Sequence, residues 1–257
     1  MTAPVEASGG ADRLADLVRG VDLLCLDAGN TIIFFDHARL ARLCARDGFA
    51  TTAAALERAE GEAKYAQERG QAVVVAWSQA GRPGADSWAE MIATMLVRAG
   101  LPIDRLPAAL DAIWVDHRAL NLWSMVPQGL VESLVALRAS GVRVAVVSNS
   151  EGKLEGFFEE LGLLRGFDCV VDSALVGVEK PDPRIFQVAL DLFGIPPSRV
   201  LHLGDNFTTD VGGARAAGLR VALVDPFGHL AGRHADVPRV SGVVEVAGAI
   251  VRARASR

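Results

Sequence analysis

The most constraining feature of this sequence is a short apolar run that ends in a carboxylate. Residues 21–26 are mostly apolar, Asp27 follows them directly, and the small and polar residues 28–31 come next. A short apolar run bounded by turn residues is typical of a buried strand in a parallel sheet. Asp27 would then lie at the carboxyl end of that strand, where open α/β sheets bind their ligands. An isolated Asp-Ala-Gly-Asn is more often a plain turn, so the interpretation depends on the rest of the chain.

The sequence beyond residue 126 alternates between helical and strand patterns. The predicted helices are residues 129–140, 151–161, 183–193 and 209–217, and the predicted strands are residues 142–147, 167–171, 199–203 and 219–224. Helices that alternate with short apolar strands are typical of a parallel sheet covered on both faces. The sequence therefore predicts an α/β fold with a parallel sheet at its core.

The residues between the first strand and residue 126 have a different character. Ala, Arg and Glu dominate residues 38–125, and helices are predicted at residues 53–70, 88–98 and 111–122. A long stretch that looks entirely helical between two α/β stretches favours an inserted all-helical domain over a continuation of the sheet. We expect residues 1–36 and 126–257 to form the core domain, and residues 37–125 to form the helical domain.

Composition argues against several classes of function. The net charge of -5 argues against a general nucleic-acid-binding surface, so no nucleic-acid partner is expected. An apolar run of about 18 residues, which a membrane-spanning helix needs, does not occur, and the first twenty residues lack the pattern of a signal peptide. The three cysteines, Cys25, Cys44 and Cys169, have no metal-type spacing and suggest a reducing compartment. We therefore expect a cytoplasmic protein without a membrane partner.

Polar residues that could take part in catalysis or metal binding follow two further predicted strands, and one lies in a loop before a helix. They are Ser148 and Asn149 after one strand, Lys180 before a helix, and Asp205 and Asp210 after another strand. Each has a plain structural explanation when taken singly, such as a helix cap for Ser148 or a solvated surface position for Lys180. Because the carboxyl ends of parallel strands meet at one edge of a sheet, we expect Asp27, Ser148 and Asp205 to converge there, with Lys180 nearby.

These residue types together predict phosphoryl-transfer chemistry. Carboxylates that converge repel one another unless a cation neutralises them, and a small set of oxygen ligands beside a phosphate suits Mg²⁺. A lysine and a hydroxyl supply the hydrogen-bond donors that the equatorial oxygens of a phosphoryl group need. Asp27 can then attack phosphorus, because carboxylates form covalent aspartyl-phosphates.

Taken as a set, the four stretches resemble the motifs of the haloacid dehalogenase (HAD) superfamily, in the same order. They are Asp27-Ala28-Gly29-Asn30-Thr31, Ser148-Asn149, Lys180-Pro181-Asp182-Pro183, and Gly204-Asp205 with Asp210. The stretch from His202 to Asp210 looks like that of the phosphatase-type members. The resemblance implies a Rossmann-like core with a helical cap inserted after the first strand, which agrees with the insertion inferred from composition.

The resemblance also implies roles for individual residues and a phosphatase that acts on a small phosphorylated molecule through an aspartyl-phosphate. Mg²⁺ would be held by Asp27, by the backbone carbonyl of Gly29 and by Asp205. The catalytic residues would be Asp27, Ser148, Asn149, Lys180 and Asp210, with Asp210 as a supporting carboxylate.

One position departs from the pattern of the family's phosphatases. They carry a second Asp two residues after the nucleophile, which protonates the leaving oxygen, and Gly29 stands there in this chain. Three alternatives therefore stay open: a 2-haloacid dehalogenase, a phosphonoacetaldehyde hydrolase that would use Lys64 of the predicted cap, and a catalytically weak binding or regulatory protein. The pair Asp205 and Asp210 favours the phosphatase, because a metal-free dehalogenase has no use for an extra metal-type carboxylate. His37 is a substitute candidate for the missing proton donor.

Overall fold

The computed structural model describes residues 7–75, 77 and 85–256, and the contacts among residues divide the chain into two compact units. Unit 1 contains the described residues of Met1–Ile33, Val126–Gly228 and Gly232–Arg257. Unit 2 contains those of Phe34–Met125 and His229–Ala231. Within the described part of the chain, no helix is long and apolar enough to cross a membrane.

Strands and helices are numbered in chain order. The strands are β1 (Leu23–Leu26), β2 (Phe34–Phe35), β3 (Trp123–Met125), β4 (Arg143–Ser148), β5 (Cys169–Asp172), β6 (Val200–Gly204), β7 (Arg220–Val224) and β8 (Arg239–Val240). The helices are α1 (Ala7–Val18), α2 (His37–Arg46), α3 (Ala53–Glu68), α4 (Ala85–Arg98), α5 (Leu106–Ala119), α6 (Leu130–Ala139), α7 (Leu154–Glu160), α8 (Ser173–Val176), α9 (Arg184–Phe193), α10 (Gly212–Ala216) and α11 (Val243–Ala255). A π-helical turn, Phe207–Val211, precedes α10.

Unit 1 is built on a six-stranded parallel sheet with the strand order β5-β4-β1-β6-β7-β8. All four residues of β1 are buried, which explains why this strand is a continuous apolar run and does not alternate. Cys25 of β1 pairs with Ala145 of β4 on one side and with His202 of β6 on the other. The predicted α/β fold with a parallel sheet is therefore confirmed.

The predicted strands after residue 126 match β4, β5, β6 and β7 with shifts of one or two residues at their ends. The predicted helix at residues 209–217 is divided between the π-helical turn and α10. Two elements near the end of the chain, β8 and α11, were not predicted. β8 has two residues, and a pattern of period two cannot be recognised in so short a segment.

Unit 2 is mainly helical, and its helices pack around one apolar core. Asp36 caps α2 by accepting a hydrogen bond from the Arg39 N–H at 2.7 Å, and Thr52 caps α3 by accepting one from the Ala55 N–H at 3.1 Å. The core residues include Leu40, Leu56, Ile92, Met95, Leu106 and Leu110. α4 and α5 begin three and five residues earlier than predicted, since Ala85–Ser87 form the first turn of α4 and Pro107 lies in the first turn of α5.

A two-stranded antiparallel sheet also belongs to unit 2. β2 pairs with β3, and the Asp36 N–H donates to the Leu122 carbonyl at 2.8 Å. The rings of Phe35 and Trp123 meet edge to face with their centroids 4.8 Å apart. The helical insertion thus includes one short strand that its composition did not predict, because three residues are too few to show a strand pattern.

Candidate active site

Three predicted site residues lie at the carboxyl ends of neighbouring strands. Asp27 follows β1, Ser148 ends β4 and Asp205 follows β6. Because β1 lies between β4 and β6 in a parallel sheet, these ends meet at one edge. The Ser148 hydroxyl donates a hydrogen bond to Asp27 Oδ1 at 3.2 Å, and the Asp27 N–H donates to the Leu203 carbonyl at 2.8 Å.

Lys180 enters this cluster from the loop between α8 and α9. Its side chain is buried, and its Nζ donates to Asp27 Oδ1 at 2.5 Å and to Asp210 Oδ1 at 2.6 Å. Burial disfavours the ammonium, but the two carboxylates outweigh burial and raise the pKa of Lys180 above its ordinary value. The lysine is therefore a cation that bridges two carboxylates.

Asn149, which was predicted as a catalytic residue, holds the backbone of Lys180. Its side-chain Oδ1 accepts a hydrogen bond from the Lys180 N–H at 2.7 Å, and its Nδ2 donates to the Lys180 carbonyl at 2.9 Å. Both ends of the amide are thus engaged with one residue. This geometry fixes where the lysine side chain begins and indicates a positioning role for Asn149.

Asp27 is buried among groups that act on its charge in opposite directions. The pKa of Asp27 is raised to about 7, chiefly by burial and further by Asp210 and Asp205, against the opposing effect of Lys180. A carboxylate with a raised pKa gains from any further cation that comes within reach. The Asp27 environment therefore favours binding of a positive ion beside the lysine.

Asp210 accepts hydrogen bonds on both carboxylate oxygens. Its Oδ1 is 3.0 Å from His202 Nε2 and also contacts Lys180, and its Oδ2 accepts from the Asn206 N–H at 3.0 Å. Burial raises the pKa of Asp210, but Lys180 and His202 outweigh burial and hold it below the ordinary range. The Asp210 side chain is therefore ionised and fixed in orientation.

Gly204 makes room for this carboxylate. A Cβ atom at position 204 would lie 2.2 Å from Asp210 Cγ, far inside van der Waals contact. Gly204 and His202 belong to stretches that the sequence singled out, but no role in the site was predicted for either residue. The one signal available was a polar residue, His202, inside a strand whose other residues are apolar or glycine.

A metal ion would find oxygen ligands in this cluster. Asp27, Asp205 and Asp210 each offer an oxygen, and these atoms lie within 4.8 Å of one another. Asn30 Oδ1 and Thr31 Oγ1 are also buried, and neither has a hydrogen-bond partner among the described residues. An oxygen-only set of this kind fits Mg²⁺ better than a softer metal.

Gly29, the third predicted ligand, lies in the loop after Asp27 and forms a bridge with Ile33. The following residue, Asn30, has φ 54° and therefore occupies a left-handed position in this loop.

His37 and Lys64, the two candidates from the predicted cap, share a buried carboxylate in unit 2. His37 Nε2 lies 2.7 Å from Glu60 Oε2, and Lys64 Nζ lies 3.2 Å from Glu60 Oε1. Burial opposes ionisation of Glu60, but Lys64, His37 and His229 outweigh it and lower the pKa of Glu60 to about 2. Both candidates are therefore engaged with Glu60.

Comparison with known proteins gives a consistent family. A family model described as haloacid dehalogenase-like hydrolase matches residues 21–218. The human "Haloacid dehalogenase-like hydrolase domain-containing protein 3" is 36% identical over 138 residues, which are 53% of this chain and 55% of that protein. "Phosphoserine phosphatase" from Thermus thermophilus is 32% identical over 160 residues, covering 58% of this chain and 62% of that protein. The chain thus spans about half the length of the curated relatives it matches.

A solved structure is similar over nearly the whole chain. The crystal structure of the HAD-hydrolase YfnB from Bacillus subtilis, which was determined bound to magnesium, has a TM-score of 0.61. The match covers 90% of this chain and 98% of that chain, with 18% sequence identity. At this level of identity the likeness concerns the fold alone.

Proposed function

Given that the chain belongs to the haloacid dehalogenase-like hydrolases, we propose that it is a Mg²⁺-dependent phosphatase that acts on a small phosphorylated molecule. The observation that carries this proposal is the buried cluster in which Lys180 bridges Asp27 and Asp210, with Asp205 beside them. Phosphatases are also among the chain's relatives, at modest identity.

Asp27 is the nucleophile in this proposal. One of its carboxylate oxygens forms a bond to phosphorus while the bond between phosphorus and the leaving oxygen breaks. Water then attacks the phosphorus of the aspartyl-phosphate, which releases inorganic phosphate and restores the Asp27 carboxylate. Ser148, which contacts Asp27, and Lys180 donate hydrogen bonds to the phosphoryl oxygens.

The charge of the cluster supports a metal requirement. Three carboxylates and one ammonium leave an excess of negative charge, and a phosphate ester brings more. Asp27, Asp205 and the Gly29 carbonyl would hold Mg²⁺, which when bound supplies positive charge to the phosphoryl group. Asp210 is the supporting carboxylate, because its oxygens are already engaged by Lys180, His202 and Asn206.

We further propose that residues 37–125 act as the helical cap domain of this enzyme, and that the cytoplasm is its compartment. The cap proposal rests on the family and on the separate helical core of unit 2. The proposed compartment rests on Cys25, Cys44 and Cys169, which are free thiols.

A second candidate function, a phosphate-binding protein with weak turnover, is favoured by one observation. Gly29 cannot donate a proton to the leaving oxygen, and general acid catalysis of that kind contributes roughly 10²–10⁴-fold. The phosphatase and the phosphate-binding protein would use the same cluster of side chains and would differ in the rate of hydrolysis.

The first experiment measures hydrolysis of an activated aryl phosphate with and without Mg²⁺. We expect Mg²⁺-dependent turnover, which Asp27→Asn lowers by roughly 10³-fold or more because the amide cannot form the intermediate. Asp191→Asn, the same change at an exposed position of α9, is the matched control and should retain the wild-type rate.

Three results would contradict this proposal. Near-normal hydrolysis by Asp27→Asn would exclude Asp27 as the nucleophile. Metal-independent release of chloride from 2-chloropropionate would indicate a dehalogenase. Binding of inorganic phosphate in calorimetry without measurable turnover of any ester would favour the binding protein.

A further inference from the structure

His202 is a buried polar residue that the proposed chemistry does not use. It lies in the middle of β6, its exposed fraction is 0%, and its neighbours Leu201 and Leu203 are equally buried. The edge of its ring meets the Phe186 ring, with centroids 4.9 Å apart. An apolar side chain would fill this space without the cost of burying an imidazole, so the polar atoms of His202 require an explanation.

The contact between His202 and Asp210 supplies one. His202 Nε2 lies 3.0 Å from Asp210 Oδ1, and Asp210 is ionised and can only accept hydrogen bonds. The imidazole must therefore donate, which assigns a proton to Nε2. Burial lowers the pKa of His202 and outweighs Asp210 and the Cys25 backbone, which raise it, so the ring carries one proton. The contact with Asp210 places that proton on Nε2.

Asp210 Oδ1 accepts hydrogen bonds from two side chains, His202 and Lys180. Because they share one oxygen atom, a change in one hydrogen bond affects the position of the other donor. Lys180 Nζ lies 2.6 Å from Oδ1, and the same Nζ lies 2.5 Å from Asp27 Oδ1. Asn206 fixes the other oxygen of Asp210 through its backbone N–H. His202 is therefore the second side-chain donor, besides Lys180, that fixes the orientation of the Asp210 carboxylate.

We propose that His202 is a positioning residue, which acts through Asp210 to place the Lys180 ammonium against Asp27. This inference rests on the proposed phosphatase function. The described hydrogen bond of the His202 side chain is to Asp210, not to Asp27, so its effect on Asp27 passes through Asp210 and Lys180. Loss of its hydrogen bond leaves Asp210 Oδ1 to Lys180 alone and frees the carboxylate to turn, so the ammonium is drawn away from Asp27.

Two substitutions separate positioning from packing. His202→Met introduces an apolar side chain of similar length and removes the donor, whereas His202→Gln keeps an N–H donor near the place of Nε2. We expect His202→Met to lower kcat on an aryl phosphate by roughly 10–100-fold with little change in KM, as loss of an outer hydrogen-bond partner commonly does. We expect His202→Gln to recover most of that loss.

Phe186→Leu is the matched control. It removes the ring that packs on His202 and leaves the hydrogen bond to Asp210 in place. We expect it to lower the melting temperature without lowering kcat. Wild-type kcat in a folded His202→Met variant would overturn the proposal, and so would equal losses of kcat in His202→Met, His202→Gln and Phe186→Leu, because both results indicate packing alone.

An NMR measurement on the wild-type protein tests the same contact without turnover. Long-range ¹H–¹⁵N spectra should show His202 as the neutral tautomer protonated at Nε2, and the Lys180 ammonium signal should shift in His202→Met but not in Phe186→Leu. If the wild type hydrolyses no phosphate ester, the proposed function fails while these signals still decide the role of His202. A tautomer protonated at Nδ1, or an unchanged Lys180 signal in His202→Met, would overturn the inference.

Discussion

Gly29 lacks a side chain, and this limits the chemistry of the proposed phosphatase. It follows Asp27 by two positions and has no proton to give, so in the proposed reaction an ester with a poor leaving group would lose its oxygen as an unprotonated anion. An aryl or acyl phosphate has a leaving group that is stable as an anion. We therefore predict a steep dependence of the wild-type rate on the pKa of the leaving group, measured over a series of aryl and alkyl phosphates.

The corresponding substitution is Gly29→Asp, which supplies the missing acid. Asn30 holds a left-handed position directly after Gly29, with φ 54°, so a thermal melt first establishes that Gly29→Asp is folded. We expect Gly29→Asp to raise the rate on alkyl phosphates more than on aryl phosphates, by up to roughly 10²-fold. Gly29→Asn has nearly the same shape and no acidic proton, and should give no such gain. A flat leaving-group dependence in the wild type, with chemistry rate-limiting, would mean that another acid is present.

The end of β6 holds Asp210 through a close backbone approach. A Cβ atom at Gly204 would overlap Asp210 Cγ, so Gly204→Ala must displace the carboxylate or the strand end. We predict that Gly204→Ala lowers the free energy of unfolding by about 1–3 kcal/mol and abolishes most of the activity. Gly212→Ala in α10, where the nearest atoms are 3.9 Å from the added Cβ, should be neutral or slightly stabilising. Chemical denaturation and the aryl phosphate assay measure both effects, and a fully active Gly204→Ala variant would contradict the close approach.

Helix α3 contributes a pH-dependent stability to unit 2 through Glu60. The pKa of Glu60 is lowered from 4.5 to about 2 in the folded protein, so its ionised form stabilises the fold above pH 4.5. That contribution is lost as the pH falls from 4.5 towards 2, because the unfolded chain then binds the proton more tightly. The shift corresponds to a loss on the order of 3 kcal/mol.

All four tryptophans lie in unit 2, so tryptophan fluorescence in urea reports this loss. We predict that the free energy of unfolding of the wild type falls more steeply between pH 4.5 and 2 than that of Glu60→Gln. Glu62→Gln changes an exposed carboxylate of the same helix and should retain the wild-type slope. Equal slopes in the wild type and in Glu60→Gln would show that Glu60 does not carry the effect.

For the molecule as a whole, the proposed metal site predicts that metal binding stabilises the fold. A ligand that binds only the folded state stabilises it by RT ln(1 + [L]/Kd), about 2.7 kcal/mol at one hundred times Kd. We predict that millimolar Mg²⁺ raises the melting temperature by several degrees at constant ionic strength. Asp205→Asn should remove most of this shift, and Asp191→Asn should retain it. No shift in the wild type, together with metal-independent activity, would favour the dehalogenase.

The sequence by itself determined the parallel sheet of unit 1 and the order in which its polar strand ends follow one another. The apolar runs that became β1, β4 and β6 are buried on both sides, and this burial leaves a pattern that can be recognised without coordinates. Since parallel strands place their carboxyl ends together, the convergence of Asp27, Ser148 and Asp205 followed from local pattern and topology alone.

Only the tertiary structure decided how the side chains of the site hold one another. Lys180 is separated from Asp27 by 153 positions, and its ammonium reaches both Asp27 and Asp210. The engagement of Asn149 with the Lys180 backbone, and of His202 with Asp210, depends on distances of about 3 Å between segments that no sequence pattern relates. Short pairings such as β2 with β3 were likewise beyond sequence reasoning, because periodicity needs more residues than these strands contain, and their partners are chosen by packing.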